Sequence, residues 1–136
     1  MVSEMFVDTS GFYACLVKKD NCHDKAVTVL RSSKGRRRFV TTDYVLDETI
    51  TLLRMRGHSH LTEEFTHIAL RSQVCRVEWM DPKRFDAVHG FLVQHGDDDY
   101  SFTDCFSFLV MKENNLRDAL TKDEHFPEAG FQPLLI

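Results

Sequence analysis

Along the chain, short apolar runs alternate with longer stretches in which apolar residues recur every three or four positions. Met5-Phe6-Val7 is the first apolar run and reads as a strand, with a helix expected from near Ser10. Ala26, Val27, Val29 and Leu30 mark a second helix from Asp24 to Ser32, which Gly35 ends, and Arg38 to Thr41 reads as the next strand. Asp43 stands where it would cap a helix running through Arg56, and Gly57 where it would terminate that helix. His58 to Arg71 is expected as one further helix and Val74 to Met80 as a strand. Asp81-Pro82 opens a helix to His95, because proline suits a first helical position. Beyond the polar loop at 96–99, Ser101 caps a helix through about Asn114, and strands follow around 119–121 and at 133–136. Strands alternating with helices predict an α/β fold, a three-layer α/β/α sandwich around a mainly parallel sheet. Its length of 136 residues suits one domain, 1–136.

In such a sheet, ligands bind outside the carboxyl ends of the strands. Four acidic residues stand at junctions between polar and apolar segments: Asp8, Glu48, Asp104 and Asp123. Asp8 and Asp123 each follow a predicted strand and so approach that edge. Helix phase separates Glu48 from its neighbour Asp47. At 100° per residue Glu48 falls between Leu52 and Met55 on the margin of the apolar arc, whereas Asp47 points to water. Glu48 is therefore expected to be the inward acid. Converging carboxylates repel by roughly 4 kcal/mol per close pair at an effective dielectric of about 20. A hard, oxygen-seeking cation such as Mg²⁺ or Mn²⁺ is the natural compensation.

Each acid also has a plainer explanation. Ser101-x-x-Asp104 is a capping-box pattern, Asp8 precedes a turn-like Ser10-Gly11, and Asp123 fits an exposed loop. The joint pattern is more specific than any one member. Competing chemistries lack their marks. The four cysteines form no C-x-x-C pair, and the seven histidines offer only His58-x-His60 and no H-E-x-x-H, which argues against zinc. Ser10, Ser101 and Thr103 have no histidine base in a hydrolase elbow, and glycine-rich phosphate loops are missing. Asp8-Thr9-Ser10 is not the Asp-x-Asp of a phosphoaspartyl phosphatase, and Glu4 is too isolated to make a receiver domain's acidic pair.

The net charge of −4 gives no general attraction to nucleic acid. Basic residues are instead clustered, with Arg36, Arg37 and Arg38 in one turn and Arg54 and Arg56 ending a helix. These are the candidates for contact with phosphates near the acids, and a solvated loop is the plainer reading. No apolar stretch is long enough to span a bilayer, no signal peptide is read, and reduced cysteines fit a cytoplasmic protein.

The strings Phe-Val-Asp-Thr-Ser (6–10), Thr-Thr-Asp-Tyr-Val-Leu-Asp-Glu-Thr (41–49), Ser-Phe-Thr-Asp-Cys (101–105) and Ala-Leu-Thr-Lys-Asp-Glu-His-Phe (119–126) resemble the PIN-domain family, and most of all its VapC-type toxins. The resemblance covers nearly the whole chain in the family's order and spacing. It implies a Mg²⁺- or Mn²⁺-dependent endoribonuclease, the toxin of a toxin–antitoxin pair, with RNA as substrate, an antitoxin protein as partner and a homodimer as the assembly. It maps the family's acids onto Asp8, Glu48, Asp104 and Asp123, and its supporting hydroxyls onto Ser10 and Thr103. Lys122 departs from the family pattern, which often has an aromatic residue before the fourth acid. Leu53, Leu61, Phe65 and Ile68 are candidates for a groove that takes an antitoxin helix. The alternative is a PIN-like RNA-processing nuclease, or an RNA-binding domain, that acts without an antitoxin.

Overall fold

The computed structural model describes residues 2–136. Its elements in chain order are β1 (Ser3–Val7), α1 (Thr9–Leu16), α2 (His23–Ser33), β2 (Arg37–Thr42), α3 (Asp43–Met55), a 3₁₀ turn (Ser59–Leu61), α4 (Thr62–Arg71), β3 (Cys75–Glu78), α5 (Pro82–Gln94), α6 (Phe102–Glu113), β4 (Asp118–Leu120), α7 (His125–Glu128) and β5 (Gln132–Pro133). The strands form one sheet in the order β3-β2-β1-β4-β5, and every pairing is parallel.

That order locates the site. From β1 the chain steps one way to β2 and β3, then crosses back to β4 and β5 on the other side of β1. Right-handed crossovers put α1 to α4 on one face and α5 and α6 on the opposite face. The packing agrees: α1 touches α2 and α3, α3 touches α4, and α5 packs on α6. The reversal leaves a crevice between the carboxyl ends of β1 and β4, the place where parallel α/β sheets bind ligands.

The centre of the sheet is apolar on both faces. Met5, Phe6 and Val7 of β1 are buried, as are Val40, Ala119 and Leu120 on its neighbours. Helix α6 carries Cys105, Phe106, Phe108, Val110 and Met111, all buried, so it is enclosed by the fold rather than lying on its surface. Burying each large side chain stabilises the fold by roughly 1.5–3 kcal/mol. Thr41 is fully buried, and its hydroxyl donates to the Val7 carbonyl at 2.8 Å.

Gly11 is required by close packing. A Cβ there would stand 2.1 Å from the Leu120 carbonyl oxygen. That oxygen also accepts the Asp8 N–H at 3.2 Å, so α1 can pack on the end of β4 only through a residue without a side chain.

Four local expectations are corrected. Thr42, not Asp43, caps α3, because its hydroxyl accepts the Val45 N–H at 3.1 Å. Asp43 instead accepts the Met80 N–H at 3.0 Å and ties α3 to the end of β3. The segment from His58 to Arg71 is not one helix: Gly57 in a left-handed conformation is followed by the 3₁₀ turn, and α4 starts only at Thr62. The last strand is Gln132–Pro133 rather than 133–136, against a neighbour, β4, of only three residues. Leu53 and Phe65 are fully buried in the protein's own core, which removes half of the groove expected for a partner helix.

Candidate active site

Two chain ends meet at the crevice. Asp8 follows β1 and Thr121 follows β4. Asp8 occupies the N-cap position of α1, and its carbonyl accepts the N–H groups of Gly11 and Phe12, both at 3.0 Å. Its side chain makes no capping bond. It turns to Thr121, whose hydroxyl donates to Asp8 Oδ2 at 3.0 Å.

The hydroxyls around Asp8 have one consistent proton order. While Asp8 is ionised, Thr121 gives it its single O–H, so the 3.1 Å contact between Ser10 Oγ and Thr121 Oγ1 uses the serine's proton. Ser10 Oγ in turn accepts the Lys122 N–H at 3.0 Å, and Thr121 Oγ1 accepts the Asp123 N–H at 3.0 Å. Thr121 therefore links Asp8, Ser10 and the Asp123 backbone. It is fully buried.

Asp104 is in the first turn of α6 and only 8% exposed. The capping-box reading holds, since Asp104 N–H donates to Ser101 Oγ at 3.0 Å and Ser101 N–H donates to Asp104 Oδ2 at 3.2 Å. The same Oδ2 also meets His125 Nδ1 at 3.1 Å, so capping and membership of the acidic site coexist. Asp123 is half-buried and accepts the His125 N–H at 2.9 Å through Oδ1, which lies 3.4 Å from His125 Nδ1. Asp104, Asp123 and His125 together offer three ligand atoms within 4.8 Å of one another.

The electrostatics follow from this placement. Burial pushes the Asp8 carboxyl up to about 7, and the charges of Asp104 and Glu48 add to that rise. Hydrogen bonds from the Thr9 backbone and the Thr121 hydroxyl offset part of it. Asp104 is also raised, first by burial and then by the charge of Asp123, against the Ser101 backbone bond and His125. Burial alone would lower His125. The hydrogen bond to Asp104 and the charges of Asp123, Asp104 and Glu128 outweigh it, and the imidazole keeps its proton to higher pH than usual. His125 thus bridges two carboxylates that favour its protonated form.

These residues fit a hard divalent cation. Burial raises the Asp8 carboxyl and no positive charge among the described residues offsets it, so a cation at this place would favour its ionised form. Thr9 Oγ1, beside Asp8, is buried without a hydrogen-bond partner among the described residues. The carboxylate donors are oxygens, which suit such an ion, and His125, whose Nδ1 faces both acids, could add a nitrogen only in its neutral form.

The remaining expected residues are placed as follows. Glu48 is not inward. It is exposed to solvent and faces the crevice, lining a hollow of about 270 Å³ with Asp8, Thr9, Ser10, Tyr13, Leu52, Arg56, Lys122 and Asp123. Helix phase placed it correctly beside Leu52, but the arc toward Met55 opens to water, and Met55 itself is 79% exposed. Asp47 is exposed, as expected. Thr103 is half-buried and lines an adjoining hollow that shares Glu48 and Leu52. Lys122 extends away from the acids, with its ammonium 3.2 Å from Asp20 and 3.3 Å from Asn21.

The basic cluster divides. Arg36, Arg37 and Arg38 lie at the beginning of β2, where Arg37 pairs with Asp118 at 3.0 Å at the beginning of β4. The expectation that they stand near the acids is corrected. At about 3.3 Å per residue, the length of β2 puts them roughly 16 Å from the carboxyl edge. Arg54 is exposed, and Arg56 alone of the five borders the crevice.

Thr121 and His125 were not foreseen as site residues. The available signals were a polar residue ending a buried strand, for Thr121, and the Asp-x-His spacing from Asp123, for His125. Neither motif is specific without the fold.

A profile described as "PIN domain" matches residues 5–132. The 23S rRNA-specific endonuclease VapC20 of Mycobacterium tuberculosis is 35% identical over 127 residues, which cover 93% of this chain and 95% of that protein. The crystal structure of Mycobacterium tuberculosis VapC20, described as a Sarcin-Ricin loop cleaving toxin, aligns with a TM-score of 0.85 at 33% identity over 93% of this chain and 95% of its own. VapBC2 from Rickettsia felis, bound to a DNA fragment from its promoter, aligns with a TM-score of 0.67 over 96% of each chain. At 12% identity that second likeness speaks to the fold alone.

Proposed function

This chain belongs to the PIN-domain family, and on that premise we propose that it is a divalent-metal-dependent endoribonuclease, the toxin of a toxin–antitoxin pair. The observation that carries the reading is the meeting of Asp8, Asp104 and Asp123 at the reversal of the sheet, in a chain 35% identical to a ribosomal-RNA endonuclease.

Asp8 and Asp104 are the principal ligands of the ion. Glu48 and Asp123 orient water or hold a second ion. Thr121 aims Asp8 through its hydroxyl, and Ser10 keeps Thr121 in the donating orientation. His125 holds Asp104 and Asp123 together while the acids carry charge. The Asp8–Thr121 bond and the capping box fix two of the carboxylates before substrate arrives, so little reorganisation is needed at the moment of reaction. Mg²⁺ or Mn²⁺, when bound, lowers the pKa of water and polarises the phosphoryl group.

The substrate is RNA, and the loop of large-subunit ribosomal RNA named for the relative is the first to try. The protein acts in the cytoplasm as one domain, pairs with a second copy of itself, and is held inactive by an antitoxin. A basic segment of that partner would offset the carboxylates in place of the metal.

The test is cleavage of such an RNA hairpin by the purified protein with Mg²⁺ or Mn²⁺ and with chelator. We expect cleavage that the chelator stops. Asp104→Asn should abolish cleavage with the fold intact. If Asp8→Asn and Asp104→Asn both cleave like the parent protein, the proposed site is wrong.

A further inference from the structure

The crevice has a built cationic contact besides its acids. Arg56 caps the C-terminus of α3 and reaches over the ring of Tyr13, with its guanidinium carbon 5.0 Å from the ring centroid. Tyr13 is buried and fixed in α1, and His58 meets its ring edge-on at 6.0 Å between centroids. The ring therefore holds a rigid plane beneath an otherwise exposed and flexible side chain.

Two cations line the hollow that contains Asp8, Glu48 and Asp123: Arg56 and Lys122. Lys122 is taken by Asp20. Arg37, Arg76 and Arg84 are likewise held by carboxylates elsewhere in the molecule. Among the described residues Arg56 makes no ion pair, although four carboxylates lie at or near the same crevice. Its guanidinium is seated on an uncharged aromatic face, which leaves its forked donors open to solvent and to a ligand.

We infer that Arg56, seated on Tyr13, binds an RNA phosphate neighbouring the one cleaved, and is the main fixed cation by which this acidic crevice accepts a polyanion. The inference rests on the ribonuclease reading and deepens it. A phosphodiester entering between Asp8, Glu48 and Asp123 meets like charge, and ions at the acids offset it only where they bind. A planar guanidinium at the rim matches a phosphate's two free oxygens in a bidentate fork, which an ammonium does not. The contact with Tyr13 restricts the side chain, so less of its freedom is lost when the phosphate arrives. The contact sets register along the strand rather than sequence, because phosphates carry no base identity.

The experiment measures binding of a short fluorescein-labelled RNA hairpin by anisotropy. The parent protein is Asp104→Asn, with chelator present, so neither cleavage nor metal contributes. Added to this parent, Arg56→Ala should weaken binding by about tenfold, the expected loss of one charge-assisted contact. It should also reduce the slope of log affinity against log salt by roughly 0.7–0.9, the value of one phosphate contact. Arg56→Lys should recover part of the affinity, and Arg54→Ala should change it by less than about twofold. Equal binding by the parent and its Arg56→Ala derivative overturns the inference and leaves the ribonuclease reading intact, as does an equal loss from Arg54→Ala. A parent that binds no RNA in chelator overturns the inference alone, since the ribonuclease reading is decided by cleavage with Mg²⁺ or Mn²⁺.

Discussion

The two edges of the sheet treat charge in opposite ways. At the amino edge and along its flank, each buried or half-buried charge has an opposite partner: Arg37 with Asp118, and Arg76 with Glu4 and Glu78. At the carboxyl edge between β1 and β4, Asp8, Asp104 and Asp123 stand together with hydroxyls, backbone N–H groups and one imidazole around them. The acids there are raised by burial and by one another. One edge has its charges neutralised within the chain, and the other leaves a deficit that something from outside must fill. Even at the carboxyl end of β3, Glu78 is matched by Arg84 at 2.6 Å, so the deficit is confined to the crevice.

The largest effect expected from this contrast is on stability. Asp8 holds its proton up to about pH 7 in the folded chain against an ordinary 3.8. Between these values the folded state binds the extra proton, so its contribution is full below about pH 4 and is lost as pH rises to about 7. At roughly 1.4 kcal/mol per unit the loss amounts to a few kcal/mol. Urea unfolding in chelator should therefore show Asp8→Asn gaining stability over the wild type as pH climbs through this window, with no further gain above it. Saturating Mg²⁺ or Mn²⁺ at pH 7.5 should narrow the gap by stabilising the wild type alone. A difference independent of pH would break the comparison at its carboxyl edge.

A smaller effect isolates the hydroxyl network. Thr121→Val keeps the shape of the side chain but removes the donor to Asp8 and the acceptor for Asp123 N–H. By analogy with residues that orient metal ligands, it should cost about 10–100-fold in metal affinity and cleavage rate. Calorimetric titration with Mn²⁺ checks the first, apart from turnover. An unchanged affinity would mean that the burial of Asp8, and not its aim, decides binding.

The smallest effect is at the amino edge. Arg37→Leu removes one side of a half-buried pair and should destabilise the protein by about 1 kcal/mol. RNA affinity and cleavage should not change. Loss of RNA binding would show that the two edges are not separate in function, and would restore the strand-β2 arginines as phosphate contacts.

Much of the fold was legible along the chain because apolar runs and helical periodicity are local. The burial of β1 and α6 follows from their composition, and glycine, proline and hydroxyl residues mark most helix ends. Asp8 was legible as a site residue because it closes an apolar strand, and Asp104 because it opens an apolar helix. A local pattern does not tell which edge of the sheet a residue reaches or what lies beside it there. Arg36 to Arg38 begin a strand whose parallel pairing points them away from the acids. Glu48 lies on the expected side of α3, yet the space it faces was left open by the packing of α1 and α3. Thr121 became a site residue only when β4 was laid beside β1, and His125 only when the turn after β4 met the start of α6. The chain by itself determined most of the elements and pointed to Asp8, Asp104 and Asp123. Strand direction and the reversal between β1 and β4 decided the site, because electrostatic coupling depends on distance in space, and only tertiary packing sets that distance.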